Sequence, residues 1–203
     1  MSATILTLVR HGETAANTEL VWHGSTDTPL TERGHAQAAR VGAFLGSRHS
    51  DISSIYASPL ERARDTADPI ARRLGLDVRI EPDLREFDLG SWEGRSYKSL
   101  FEEERLWHHM KRDPHFAPHG GESPLAATER LLGALQRIAA AHPGQRVIIV
   151  SHGGALSMAL GKLLDDDYSE WRRMMENCAV SDLVLEPAPA LLTFNETSHL
   201  ADL

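Results

Sequence analysis

The chain contains one cysteine, Cys178, so no internal disulfide can form, which suits a reducing compartment. Cys178 sits between Asn177 and a strand-like run and reads as a buried structural thiol rather than a nucleophile. Long hydrophobic runs are lacking too. The apolar run Ile5 to Val9 ends at Arg10 and His11 and reads as a strand, not a secretory signal. The most apolar stretch, Val147 to Leu164, is broken by Ser151, His152, three glycines and Lys162. It reads as a buried strand turning into a helix rather than a membrane span. A basic excess is also missing. The net charge of −8 argues against nucleic acid or a membrane surface as partner, since both favour basic faces. It does not exclude a small anionic substrate, because a few arginines in a cleft dominate the local field. Without repeats, low-complexity tracts or a linker, the 203 residues read as a single cytoplasmic domain, 1–203.

What is present is an alternation of strands and helices. Ile5–Val9 and Val147–Val150 are continuously apolar, as expected of central strands covered on both faces. Ile52–Ala57, Leu76–Ile80, Val180–Leu185 and Leu191–Phe194 are weaker strand candidates. Thr31 is positioned as the N-cap of a helix that buries Ala38, Val41 and Leu45. Ser58-Pro59 predicts a cap followed by proline at the first helical position, with the helix running to Leu74 and stopped by Gly75. Ser123-Pro124 repeats that signal, with Leu125, Leu132, Leu135 and Ala139 as the buried stripe. Ser96 to Lys111 is predicted as helix, and Arg112 to Gly121 as an excursion over one end of the sheet. The expected fold is α/β, a three-layer α/β/α sandwich around a mostly parallel sheet.

Ligands of open α/β sheets bind beyond the carboxyl ends of the strands. Arg10-His11-Gly12-Glu13-Thr14 follows the first strand. Ser58-Pro59-Leu60-Glu61-Arg62-Ala63 follows Ile52–Ala57, and Ser151-His152-Gly153-Gly154 follows Val147–Val150. All three motifs therefore belong on one sheet edge, with two histidines and two arginines able to surround a dianion. Leu84-Arg85-Glu86-Phe87, running on to Trp92-Glu93-Gly94, adds a carboxyl.

These motifs, with Thr66-Ala67 and Gly121-Glu122-Ser123, resemble the histidine phosphatase superfamily in its phosphoglycerate mutase-like branch. The match runs in order from the first strand to His152. The resemblance implies that His11 is the nucleophile and forms a phosphohistidine. It implies that Arg10 and Arg62 hold the phosphate oxygens through charge-assisted forks, and that His152 is a further donor, best if cationic. Glu86 would be the general acid and base, which asks for a carboxyl protonated near neutral pH. Asn17, Gly24, Ser25 and Gly153 would contact phosphate or substrate. No cofactor and no metal are implied. The expected partner is a small phosphorylated metabolite, with a homodimer left open.

Blander readings stand beside these. Arg62 on a solvated helix face would merely pair with its neighbours; its place in the first turn favours the pocket, whereas Arg64 belongs to the surface. Gly12, Gly153 and Gly154 are turn glycines or positions of close backbone approach to phosphate. Glu13 and Glu93 are alternative carboxyls, with backbone anchoring as the plainer role. His108, His109, His115 and His119 match no compact zinc pattern; they read as pocket-mouth or surface residues. Trp22-His23-Gly24-Ser25 departs from the family pattern, in which a glutamine often precedes the glycine and a large aromatic follows it. Trp22 and Trp107 are therefore either stacking residues for a leaving group or plain core. Phosphatase, mutase and non-catalytic binder remain in play. The short, mixed-charge segment Arg95 to Gly120 favours hydrolysis over mutase chemistry, and the intact set of five principal residues disfavours a binder.

Overall fold

The computed structural model describes residues 3–169 and 171–203. Its strands are β1 Ile5–Arg10, β2 Ile52–Ala57, β3 Val78–Ile80, β4 Arg146–Ser151, β5 Val180–Val184 and β6 Ala190–Glu196. They form one six-stranded sheet in the order β3-β2-β4-β1-β5-β6. The first four run parallel, β5 runs antiparallel to β1, and β6 antiparallel to β5. The helices are α1 Ala15–Thr18, α2 Glu32–Arg48, α3 Glu61–Leu74, α4 Tyr97–Glu102, α5 Leu106–Arg112, α6 Pro124–Ala141 and α7 Gly153–Asp165.

The continuous apolarity of β4 follows from its being covered twice. Val147 and Ile149 pack with Leu131 and Leu135 of α6 and Leu156 of α7. Ile148 and Val150 face the other way, onto Val41 and Leu45 of α2 and Ala63 and Ile70 of α3. Alternate residues of one strand thus enter two separate cores, which produces the three layers. A third apolar cluster gathers Trp22, Phe87, Leu89, Leu100, Leu106 and Met110 with Trp171.

Local signals are met at several boundaries. Thr31 caps α2, its hydroxyl accepting from Gly34 N at 3.0 Å, and Gly75 closes α3 with φ 68°, a left-handed value that favours glycine. Three expectations need correction. Ser58 is not the cap of α3: the N-cap is Leu60, and the first free N–H, that of Glu61, donates to Asp27 Oδ1 at 2.7 Å. In α6 the fully buried row is Leu131, Ala134, Leu135 and Ile138, while Leu125, Leu132 and Ala139 are half-buried. The helix rests on the sheet about one residue's rotation from the predicted stripe. The segment from Ser96 to Lys111 is two short helices broken at Arg105, where φ is 52°. The break lets Leu100 of α4 and both Leu106 and Met110 of α5 enter the same apolar cluster.

Candidate active site

Strand register assembles the site. Arg10 of β1 lies opposite Ser151 of β4, so His11 and His152 leave neighbouring strand ends together. His11 N donates to Ser151 O at 3.0 Å, and Ser58 N donates to Val150 O at 3.0 Å. The two imidazoles stand 5.1 Å apart, centroid to centroid. One pocket is lined by Arg10, His11, Asn17, Arg62, Glu86 and Gly153; His152, fully buried beside His11, is not among the lining residues.

His11 is committed to one tautomer. Its Nδ1 is 2.7 Å from Gly12 O, and a carbonyl only accepts, so Nδ1 carries the proton and Nε2 keeps its lone pair. Burial, then the charges of Arg62 and Arg10, lower its pKa well below 6.5. The same causes, burial first and then Arg62, His11 and Arg10, lower that of His152. The reading that His152 is best as a cation is therefore disfavoured: burial first, and then the neighbouring guanidiniums, favour the neutral ring.

A sign follows for pH. As pH falls through 6.5, the unfolded histidines take up protons that the folded ones refuse. Their contribution to stability is thus complete above that value and lost below it. Denaturant titrations from pH 8 to 5 should show a steeper decline for the parent chain than for a His152→Gln variant. Equal slopes would mean that His152 protonates freely when folded.

Arg62 is buried and Arg10 half-buried, and desolvation is the main cause lowering each pKa. Arg10 Nη1 donates to Met175 O at 2.6 Å, leaving its Nε buried without a protein partner. Arg62 donates from Nη1 to Thr26 O at 3.0 Å, and from Nη2 to His23 O at 2.9 Å and Gly24 O at 2.8 Å. Arg62 therefore faces the pocket and also pins the loop 23–26. Arg64 is exposed, as read.

Glu86 sits at the N-terminus of α7. Oε2 accepts from Gly154 N at 2.8 Å, and Oε1 accepts from Ala155 N at 2.6 Å and Phe87 N at 2.8 Å. A helix start offers N–H groups that lack intrahelical partners, and here a side chain takes them. The segment bearing Glu86 is held from behind by Arg130, which donates to Asp83 O, Arg85 O and Glu86 O. Arg130 also pairs with both oxygens of Glu122, each at 2.7 Å. That gives the Gly121-Glu122-Ser123 landmark a physical task.

Asn17 Oδ1 accepts from Thr14 N at 3.1 Å. A backbone N–H can only donate, so the amide orientation is settled and Nδ2 is the free end. Asn177 Nδ2 bridges this oxygen and His11 O, each at 3.0 Å. Gly153 and Gly154 leave no space for a methyl group. A Cβ at Gly153 would lie 3.0 Å from Arg10 Nε, and one at Gly154 would lie 2.7 Å from Trp22 Cη2 and 2.9 Å from Glu86 Oε1. Gly154→Ala should cost about 1–3 kcal/mol of stability through overpacking, read by denaturant midpoint; a neutral result would show that the Trp22 ring yields freely. Gly12 is small for another reason than phosphate approach: its Cβ would meet Gly34 O at 2.6 Å, so it lets the β1 loop lie against α2.

Other predicted residues fall outside the lining. Gly24 meets Arg62 through its carbonyl. Ser25 is exposed, with N bonded to Glu93 Oε1 at 3.1 Å and Oγ to Asp88 Oδ1 at 3.2 Å. Both residues shape the loop that holds Arg62. Glu13 accepts from Thr31 Oγ1 at 2.8 Å, and Glu93 anchors the backbone of Ser25, Thr26 and Leu89. Trp22 lines the pocket while its Nε1 donates to Phe87 O at 3.2 Å. Trp107 packs in the third cluster against Trp171. His108, His109, His115 and His119 do not line the pocket; His109 stacks on Phe116, and His119 is buried beside Trp92. Among the described residues no group of three or more His, Cys, Asp or Glu is arranged to hold a metal ion, and no helix is long and apolar enough to cross a membrane. Cys178 is buried, and burial pushes its thiol pKa up. Sequence reading did not single out Tyr97, Thr28, Met174, Arg130 or Asn177. The first three line the pocket, and none of the five carries a local spacing signal toward it.

A parallel-centred α/β sheet with histidines and arginines at its carboxyl edge defines a phosphoryl-transfer class of protein. The model of the histidine phosphatase superfamily (branch 1) matches residues 6–197, and the chain belongs to that superfamily. It is 37% identical to a probable phosphoglycerate mutase of Cronobacter sakazakii, over 95% of this chain and 93% of that protein. The solved mycobacterial glucosyl-3-phosphoglycerate phosphatase superposes with a TM-score of 0.81 at 29% identity, covering 95% of this chain and 99% of that one. A phosphoserine phosphatase of Entamoeba histolytica, in complex with 3-phosphoglyceric acid, gives 0.84 at 27% identity, covering 97% and 99%. The relatives and neighbours are thus phosphatases and mutases.

Proposed function

We propose that this chain hydrolyses the phosphomonoester of a small phosphorylated metabolite through a phosphohistidine on His11. The carrying observation is the bond from His11 Nδ1 to Gly12 O, which leaves Nε2 as a lone-pair nucleophile in the pocket shared by Arg10, Arg62 and Glu86. Nε2 attacks phosphorus as the ester P–O bond breaks, and the two guanidiniums stabilise the charge on the equatorial oxygens. As it stands, Glu86 only accepts hydrogen bonds. A phosphomonoester monoanion brings its own proton, which passes to Glu86 and from there to the leaving alkoxide. Water then gives a proton to Glu86 as its oxygen displaces the histidine, and that proton leaves with the inorganic phosphate as dihydrogen phosphate, restoring the carboxylate.

Among the described residues the lining contains no lysine and no arginine other than Arg10 and Arg62. A mutase must hold a carboxylated substrate while returning the phosphate, so this charge inventory favours hydrolysis. The mutase reading has its own support in the Cronobacter relative. A cytoplasmic setting is part of the proposal and suits the buried, lone Cys178.

Turnover of an aryl phosphate in the presence of a chelator tests the reading. Robust exchange of phosphate between phosphoglycerate positions with negligible hydrolysis would replace it with the mutase reading, and saturable phosphate binding without turnover would replace it with a binder. The role of Glu86 has a separate signature. Glu86→Gln should slow alkyl phosphates at least about 100-fold, the usual scale of acid–base assistance, and aryl phosphates much less, since their leaving groups depart unaided. Equal losses for both would remove Glu86 as the acid.

A further inference from the structure

Ser58 is drawn away from the helix-capping task its sequence suggests. Its Oγ lies 2.7 Å from His152 Nε2, and both residues are fully buried. Leu60 N donates to the same Oγ at 3.3 Å, so one oxygen lone pair is already used. The remaining question is where the hydroxyl proton goes. Among the described residues Ser58 Oγ has no acceptor other than His152 Nε2. If Nε2 carried the proton and donated it to Ser58, the hydroxyl would be left as a buried donor with no acceptor, at a cost of about 1–3 kcal/mol. The opposite direction satisfies both groups: Ser58 O–H donates and Nε2 accepts.

We infer that Ser58 is a positioning residue that selects the Nδ1–H tautomer of His152, so that a neutral imidazole still presents a donor to the phosphate. Nε2 is taken, and Nδ1 is buried without a protein partner, so Nδ1 is the only ring atom left to meet a phosphate oxygen. The tautomer matters because burial beside two guanidiniums and a second imidazole favours the uncharged ring of His152. A cation would donate from either nitrogen; a neutral ring donates from one, and the wrong choice would set a lone pair against phosphate oxygens. The catalytic consequence rests on the phosphatase reading, whereas the tautomer does not.

Nitrogen-15 spectra of histidine-labelled protein at pH 7.5, with His152 assigned by its loss in His152→Gln, separate the two. In the parent chain Nδ1 of His152 should appear as the protonated, pyrrole-type nitrogen and Nε2 as the bare one. In Ser58→Ala the pattern should invert or average, while Ser58→Thr, which keeps the hydroxyl, should restore it. Near-UV dichroism checks that each variant is folded; if Ser58→Ala is not, the parent spectrum and Ser58→Thr still decide. A proton on Nε2 in the parent, or an unchanged tautomer in folded Ser58→Ala, would overturn the inference, whatever the activity. Given the inferred tautomer, Ser58→Ala should lower kcat for aryl phosphate about tenfold, less than outright removal of a transition-state donor, with KM changed less. If the parent chain hydrolyses no phosphomonoester while the spectra behave as expected, the phosphatase reading fails and the assignment of Ser58 stands.

Discussion

His11→Ala is expected to reduce aryl phosphate turnover by at least about 10⁴-fold, the scale seen when a covalent nucleophile is removed. The ring makes one side-chain hydrogen bond, to Gly12 O, and Gly12 N is independently held by Thr66 Oγ1 at 2.9 Å. The loop should therefore keep its path, and the variant should remain folded and still bind inorganic phosphate through Arg10 and Arg62. Rapid alkaline quench after mixing the parent chain with labelled substrate should trap one phosphoryl group per chain, stable to base and labile to acid; the variant should trap none. Residual turnover above one per cent in a folded variant would mean that water attacks directly and that His11 is only another donor.

Arg62→Ala should cost about 2–5 kcal/mol of transition-state binding if, as proposed, the lost contact is a desolvated ion pair with the phosphoryl group. In catalytic efficiency this is roughly 30-fold to several thousand-fold. The structure adds a second effect. The carbonyls of His23, Gly24 and Thr26 lose their donor together, so thermal stability should fall as well. Arg62→Lys separates the two, since an ammonium keeps the charge but cannot reach three carbonyls and a phosphate as a planar fork does. Lysine should recover part of the phosphate affinity while leaving the loop weakened. A loss below threefold in catalytic efficiency for the alanine variant would place Arg62 outside the reaction.

The parts legible in advance share a cause. Continuous apolar strands, the Thr31 cap and motifs placed directly after strands depend on nearest neighbours and on the rule that α/β sheets bind at their carboxyl edge. Arg10, His11, Arg62 and His152 were placed at one sheet edge that way, while Glu86 came from the family resemblance; Arg10, His11, Arg62 and Glu86 line one pocket. The misreadings involve atoms whose partner is remote. Ser58 looks like a cap until a histidine 94 residues on lies beside it. Gly12, read as a turn or phosphate-approach glycine, has a further reason to be small, since a Cβ there would lie 2.6 Å from Gly34 O. His152 looks like a cation until burial beside two guanidiniums is counted. The α6 stripe slipped because Leu132 and Ala139 pack on the rim of the same core as Leu131 and Ile138; periodicity sees hydrophobicity, not which neighbour is deepest. Asn177 and Arg130 left no trace, since each acts on backbone carbonyls or amides supplied by distant segments.

The pairing of Arg10 with Ser151 across β1 and β4 divides the labour of the molecule. The imidazoles of His11 and His152 take their spacing from the ladder of the sheet's interior, where slippage by one residue would send them to opposite faces. The pocket walls at Trp22, His23, Tyr97 and Met174 come from segments outside that ladder. Remodelling those walls leaves the strand pairing untouched. One frame can therefore adopt new alcohols as cargo while its reactive core stays the same, and evolution or a protein engineer can retune selectivity without relearning the chemistry.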